Sequence, residues 1–108
     1  MTNPMPPAPP SEMAANAASA AAFLKTLAHE GRLMILCYLA SGEKSVGELE
    51  SLLEIRQAAV SQMLSRLREE RLVSTRRDGK TIYYSLADKK TAEVIETLYR
   101  LFCAPPQD

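Results

Sequence analysis

The order of patterned segments between Val46 and Leu86 constrains this chain more than any other feature. Val46–Leu53 (VGELESLL) places apolar residues at helical spacing, and after a short break Gln57–Arg71 (QAAVSQMLSRLREER) does so again. Leu72 and Val73 lead into two short segments, Ser74–Arg77 and Thr81–Leu86, joined at Asp78-Gly79. Asp-Gly between alternating segments is a strong hairpin-turn signal. Helix, turn, helix and hairpin in that order predict a mainly α fold with a small β hairpin, a winged helix-turn-helix of order α-α-α-α-β-β-α. Such an order brings a polar helix face and an arginine-rich loop to the same side of a molecule.

The flanking segments complete one domain over residues 11–104. Met1–Pro10 holds five prolines and is expected to be a disordered tail, with a second short tail at 105–108 after Pro105. Ser11 is a candidate N-cap for an alanine-rich helix reaching about Ala28, with Ala18, Ala21, Ala22, Leu24 and Leu27 as candidate buried positions. Its many small residues suit close helix–helix approach, and plain helix propensity explains them equally well. His29–Ser41 reads as a second helix ended by Gly42, with Leu33, Leu36, Cys37 and Ala40 on one face. Ser45 and Glu48 form a capping box for the third helix, and Val60, Met63, Leu64 and Leu67 make the buried stripe of the fourth. Asp88 starts a last helix reaching Phe102 or Cys103.

Charge is unevenly distributed although the whole chain is formally neutral. Residues 56–90 carry nine basic against four acidic side chains, a local excess of +5, whereas 1–55 sum to −3 and 91–108 to −2. The excess lies on the fourth helix and the hairpin, where phosphate neutralisation by a DNA reader requires it. Gln57, Ser61, Gln62 and Ser65 are suited to base edges, and Arg56 and Arg66 to phosphate or a guanine edge. Arg76, Arg77 and Lys80 at the hairpin tip suit the backbone or the adjacent minor groove of double-stranded DNA. The competing reading of each residue taken singly is a solvated polar face. No Cys-x-x-Cys motif and no Cys–His–acid grouping supports an enzyme. Met1–Pro10 has no basic residue, Asn16 and Ser19 interrupt the alanine run, and no stretch is apolar enough for a membrane span. A cytoplasmic protein is expected, one in which Cys37 and Cys103 ordinarily stay reduced.

The run SVGELESLLEIRQAAVSQMLSRLREERLVSTRRDGKTIYYSL resembles the core of the ArsR family of winged-helix repressors, and the likeness extends from about Ala21 to Cys103. It implies a homodimer joined by the first and last helices that presents two recognition helices to a near-palindromic operator. Members that sense metals carry cysteines in the third helix or an Asp/His/Glu set in the last. Here Val46–Leu53 has no Cys, Lys89–Cys103 has no His, and His29 is the only histidine. No metal or other cofactor is therefore expected. The placement of Cys37 and Cys103 resembles instead the thiol-based subgroup that responds to small inorganic or organic persulfides and polysulfides. The resemblance implies a reactive dithiol whose oxidation within one subunit lowers DNA affinity and derepresses sulfur-handling genes. From the residues alone, two alternatives remain open: a metal-responsive repressor, and a constitutive DNA-binding protein whose cysteines are small core hydrophobes.

Overall fold

The computed structural model describes residues 9–103; the expected tails fall largely outside them, at residues 1–8 and 105–108. Helix α1 (Pro10–Leu27) begins one residue before the expected cap, with Pro9 at the N-cap and Pro10 at the first helical position. Proline is tolerated there because the N–H it lacks has no intrahelical partner. Ser11 therefore lies inside the helix and caps nothing. The expected buried face of α1 is also corrected. Ala18, Ala21, Ala22 and Leu24 are exposed, and only Thr26 and Leu27 are buried. This helix meets the rest of the subunit mainly through its C-terminal end, where Arg32 Nε donates to the Thr26 carbonyl at 2.9 Å.

Helix α2 (Glu30–Leu39) is capped by His29, whose Nδ1 accepts from the Arg32 N–H at 3.3 Å. It ends two residues earlier than expected and leaves Ala40 exposed. Ser41 and Gly42 donate to the carbonyls three residues back, tightening the turn, and Gly42 at φ 139° redirects the chain. Helix α3 (Val46–Leu53) has the full capping box: Glu48 N–H donates to Ser45 Oγ, and Ser45 N–H donates to the Glu48 carboxylate.

Helix α4 (Gln57–Glu69) stops before Arg71, the expected end. Arg71 adopts φ 62°; its N–H donates to the Arg68 carbonyl, and that of Leu72 to the Leu67 carbonyl. This paired arrangement closes a helix C-terminus and turns the next residues inward. Leu72 and Val73 are accordingly buried.

A two-residue strand unforeseen from the sequence, β1 (Lys44–Ser45), joins β2 (Val73–Asp78) and β3 (Thr81–Leu86) in an antiparallel sheet of order β1-β3-β2. The hairpin turn is Gly79-Lys80, with Gly79 at φ 65°, a conformation glycine adopts without the usual Cβ penalty. Helix α5 (Lys89–Phe102) starts at Asp88, which accepts the Thr91 N–H at 2.8 Å.

Ile35, Leu36, Leu49, Val60, Leu64, Leu67 and Ile95 are fully shielded and unite α2, α3, α4 and α5 in one core. Each such side chain contributes about 1.5–3 kcal/mol of burial. A Cβ built on Gly31 would stand 2.4 Å from Met63 Sδ, so the α2 backbone lies directly against α4. That contact and the core stripe fix the orientation of α4.

Candidate DNA interface and thiol pair

With Val60, Met63, Leu64 and Leu67 turned to the core, α4 leaves Gln57, Gln62, Ser65, Arg66 and Arg68 exposed and Ser61 half-buried. Arg56 is the exposed N-cap residue and makes no side-chain cap hydrogen bond. Arg66 pairs with Glu70 at 3.2 Å along the helix, with its guanidinium still half open to solvent. Gln57 does not stand alone: a cleft of about 390 Å3 is lined by Gln57, the α3 start at Ser45–Gly47, and Lys80, Thr81 and Ile82 of the hairpin. The first residue of α4 and the tip of the wing therefore share one hollow.

The wing separates its two adjacent arginines. Arg76 lies opposite Tyr83, and Arg77 opposite Ile82. Side chains alternate across a strand, so the two guanidinium groups leave by opposite faces. Arg77 shares its face with Ile82, on the side of the Gln57 cleft. Arg76 lies over the Tyr83 ring, 4.7 Å from its centroid. Its Nε donates to both Glu43 carboxylate oxygens at 2.9–3.0 Å, and its terminal nitrogen also donates to Glu43. The hydrogen bonds from Arg76 hold the Glu43 carboxyl below its ordinary range. In this conformation Arg76 braces the wing, while Arg77 and Lys80 are exposed and carry no ion pair among the described residues. Glu43 and Tyr83 were invisible as site residues in the sequence, because only the sheet register brings them to Arg76.

The two cysteines stand at the other side of α2. Cys37 is half-buried against the core, and Cys103 is the exposed C-cap of α5, with its N–H on the Tyr99 carbonyl at 2.8 Å. Cys103 lies close enough to Cys37 to act on its thiol. Burial pushes the Cys37 thiol up, and the neighbouring Cys103 pushes it further. Beside Cys37 is a hollow of about 580 Å3, bounded on the α5 side by Ala92, Glu96 and Tyr99. Among the described residues no group of three or more His, Cys, Asp or Glu side chains is arranged to hold a metal ion, and no helix is long and apolar enough to cross a membrane.

A short helix, a turn, a second helix with an exposed polar face and a basic hairpin together define a winged helix-turn-helix DNA-binding regulator. Residues 29–75 match the model of the bacterial regulatory protein, arsR family. The chain is 54% identical over 96 residues to the biofilm growth-associated repressor of Agrobacterium fabrum, covering 89% of this chain and 82% of that protein. It is 47% identical to the transcriptional activator HlyU of Vibrio cholerae, covering 89% of each. The structure of reduced HlyU from that organism superposes with a TM-score of 0.83, covering 86% of this chain and 98% of that one. The repressor BigR from Xylella fastidiosa, 45% identical, gives a TM-score of 0.81 over 91% of this chain and 97% of that one. This protein belongs to the ArsR family of transcriptional regulators and, like those relatives, is a DNA-binding protein rather than an enzyme.

Proposed function

We propose that this protein is a cytoplasmic homodimeric repressor of a near-palindromic operator, released when persulfide or polysulfide links Cys37 to Cys103. Release derepresses genes for sulfur handling. The observation that carries this reading is the nearness of two thiols far apart in sequence: Cys103 at the end of α5 stands close enough to Cys37 on α2 to raise that thiol, after burial. A relative of nearly half identity, HlyU of Vibrio cholerae, has been solved in reduced form.

The dimer is supported by the apolar surface of the outer helices. Met13 and Leu24 on α1, and Tyr99, Leu101 and Phe102 on α5, are each at least half exposed. Leaving so many large apolar side chains in water is unfavourable, and a second copy covers them. A bond between Cys37 and Cys103 would tie α2, which backs the recognition helix, to α5, which belongs to the proposed interface. That tie alters the spacing of two α4 helices, and an operator reads both together. A hundredfold loss of affinity needs about 2.7 kcal/mol of coupling, an ordinary allosteric magnitude.

On DNA, Gln57, Ser61, Gln62 and Ser65 face bases in the major groove, and Arg56, Arg66, Arg77 and Lys80 neutralise phosphate. Operator binding of the reduced protein is measured before and after polysulfide, peroxide or zinc, with intact mass recorded each time. Weaker binding with an intrasubunit crosslink, absent in Cys37→Ser and Cys103→Ser, is expected. Unchanged affinity after polysulfide sinks the sensor reading, and release by zinc would instead establish a metal response.

A further inference from the structure

At the base of the wing lies a hollow of about 410 Å3, bounded by α1, the turn from α4 into β2 and the turn from β3 into α5. Its α1 wall is Ser19, Ala22, Phe23 and Thr26, which follow one another at helical spacing. The partly buried Phe23 and the buried Leu72 make one side apolar. Glu70, Arg71, Asp88 and Lys90 supply the charge. Both carboxylates are engaged: Glu70 pairs with Arg66 at 3.2 Å, and Asp88 accepts the Thr91 N–H at 2.8 Å. Neither cation takes part in an ion pair among the described residues. Lys90 Nζ lies over the Phe23 ring, 5.5 Å from its centroid, an attraction that a carboxylate arriving beside it would exceed. Arg71 holds its place at φ 62°, where glycine is the unstrained choice, and such strain is characteristic of functional positions.

We propose that this hollow binds a small organic carboxylate, its acid group held by Arg71 and Lys90 and its apolar body laid against Phe23 and Leu72. Two acidic and two basic side chains make the lining formally neutral, which suits a single negative charge better than a phosphate dianion. The site does not depend on Cys37 or Cys103. It also stays clear of the apolar surface given to the second copy. At about 100° per residue, Met13 and Leu24 lie about 140° round α1 from the wall of the hollow. Lys90 sits in the first turn of α5, about 14 Å of helix from Tyr99. A bound acid touches α1 and both ends of the wing.

Phenylacetate and isovalerate are the probes, with 2-phenylethanol and 3-methylbutanol as their neutral counterparts. Binding to the full chain is followed by amide chemical shifts in an NMR titration. Both acids should shift the amides of Phe23, Leu72 and Ala87. Each should bind more than about tenfold tighter than its neutral counterpart, as two charge pairs partly open to solvent imply. Lys90→Met should weaken phenylacetate about fivefold. Arg71→Gly should weaken it by a similar factor while raising the urea midpoint, which separates lost binding from lost folding. No saturable shift with either acid, or wild-type affinity in both variants, overturns the site. Inorganic phosphate binding as tightly as the acids would show a bare anion site and overturn the carboxylate assignment. Shifts centred instead on Cys37 and Tyr38 would place the acid in the other hollow and overturn it too.

Discussion

Arg76 on β2 and Glu43, 33 residues earlier in the loop before β1, are joined by hydrogen bonds from the Arg76 Nε to both carboxylate oxygens. Tyr83 supports the guanidinium from below at 4.7 Å. Three separate stretches of chain thus meet at the outer face of the wing. The pair occupies one of the basic residues that a charge count assigns to DNA.

Glu43→Gln should free that cation. The plot of log affinity against log salt should steepen by about one phosphate contact, with tighter operator binding at low ionic strength. Fluorescence anisotropy at four salt concentrations measures it. A slope equal to that of the wild type would mean that the freed Arg76 does not reach the DNA backbone.

Arg77 and Gln57 should separate affinity from specificity. Arg77→Ala should weaken all sequences alike and reduce the salt slope by about 1, whereas Gln57→Ala should cost about 1–3 kcal/mol on the operator and relax its base preference. Competition with single-base operator variants distinguishes the two. Intact base preference in Gln57→Ala would show that the start of α4 is not in the groove as proposed.

The Cys37 thiol is held up by burial first and by Cys103 second. Its alkylation in Cys103→Ser should therefore keep accelerating above the ordinary thiol midpoint of about pH 8.5. The burial contribution remains in that variant, and the charge contribution is gone. A rate already level by that pH would contradict the half-buried setting of Cys37.

Asp88 supplies a pH-dependent part of stability. Its carboxyl is held below the ordinary range first by the backbone N–H of Thr91, which donates to it at 2.8 Å. A depressed folded value means stabilisation that is complete above the unfolded value and lost as pH falls through the folded one. Denaturant melts of the wild type should therefore weaken below about pH 4, and Asp88→Asn should reduce that slope. Equal slopes in the two proteins would exclude Asp88 as a source.

Arg71 at φ 62° is a strained position for a residue bearing Cβ. Arg71→Gly should raise stability by about 0.5–1 kcal/mol, read as a higher urea midpoint with an unchanged slope. A lower midpoint would mean that the arginine side chain contributes more than its backbone strain costs.

Much of the reading head was legible in the sequence because its signals are local. The Ser45–Glu48 capping box needs residues three apart, and the stripe of Val60, Met63, Leu64 and Leu67 needs only one helix period. Asp78-Gly79 announced the hairpin, although the register moved the turn itself to Gly79-Lys80. The exposed face of α1 was misjudged for the opposite reason. Alanines are compatible with burial or exposure, and their state depends on whether another element arrives to cover them.

By itself, the sequence determined the helix-turn-helix, its core stripe, its basic wing and the presence of two cysteines. Periodicity, caps and turn chemistry act over a few residues and survive without knowledge of the rest. Only the tertiary structure decided which arginine braces the wing and which remains exposed. It also brought Gln57 into one cleft with Lys80, and Cys103 near enough to Cys37 to act on its thiol. Those relationships arise when the sheet register and the packing of α2 against α5 close long stretches of chain. No local pattern encodes such closures, because each depends on two surfaces meeting through a common core.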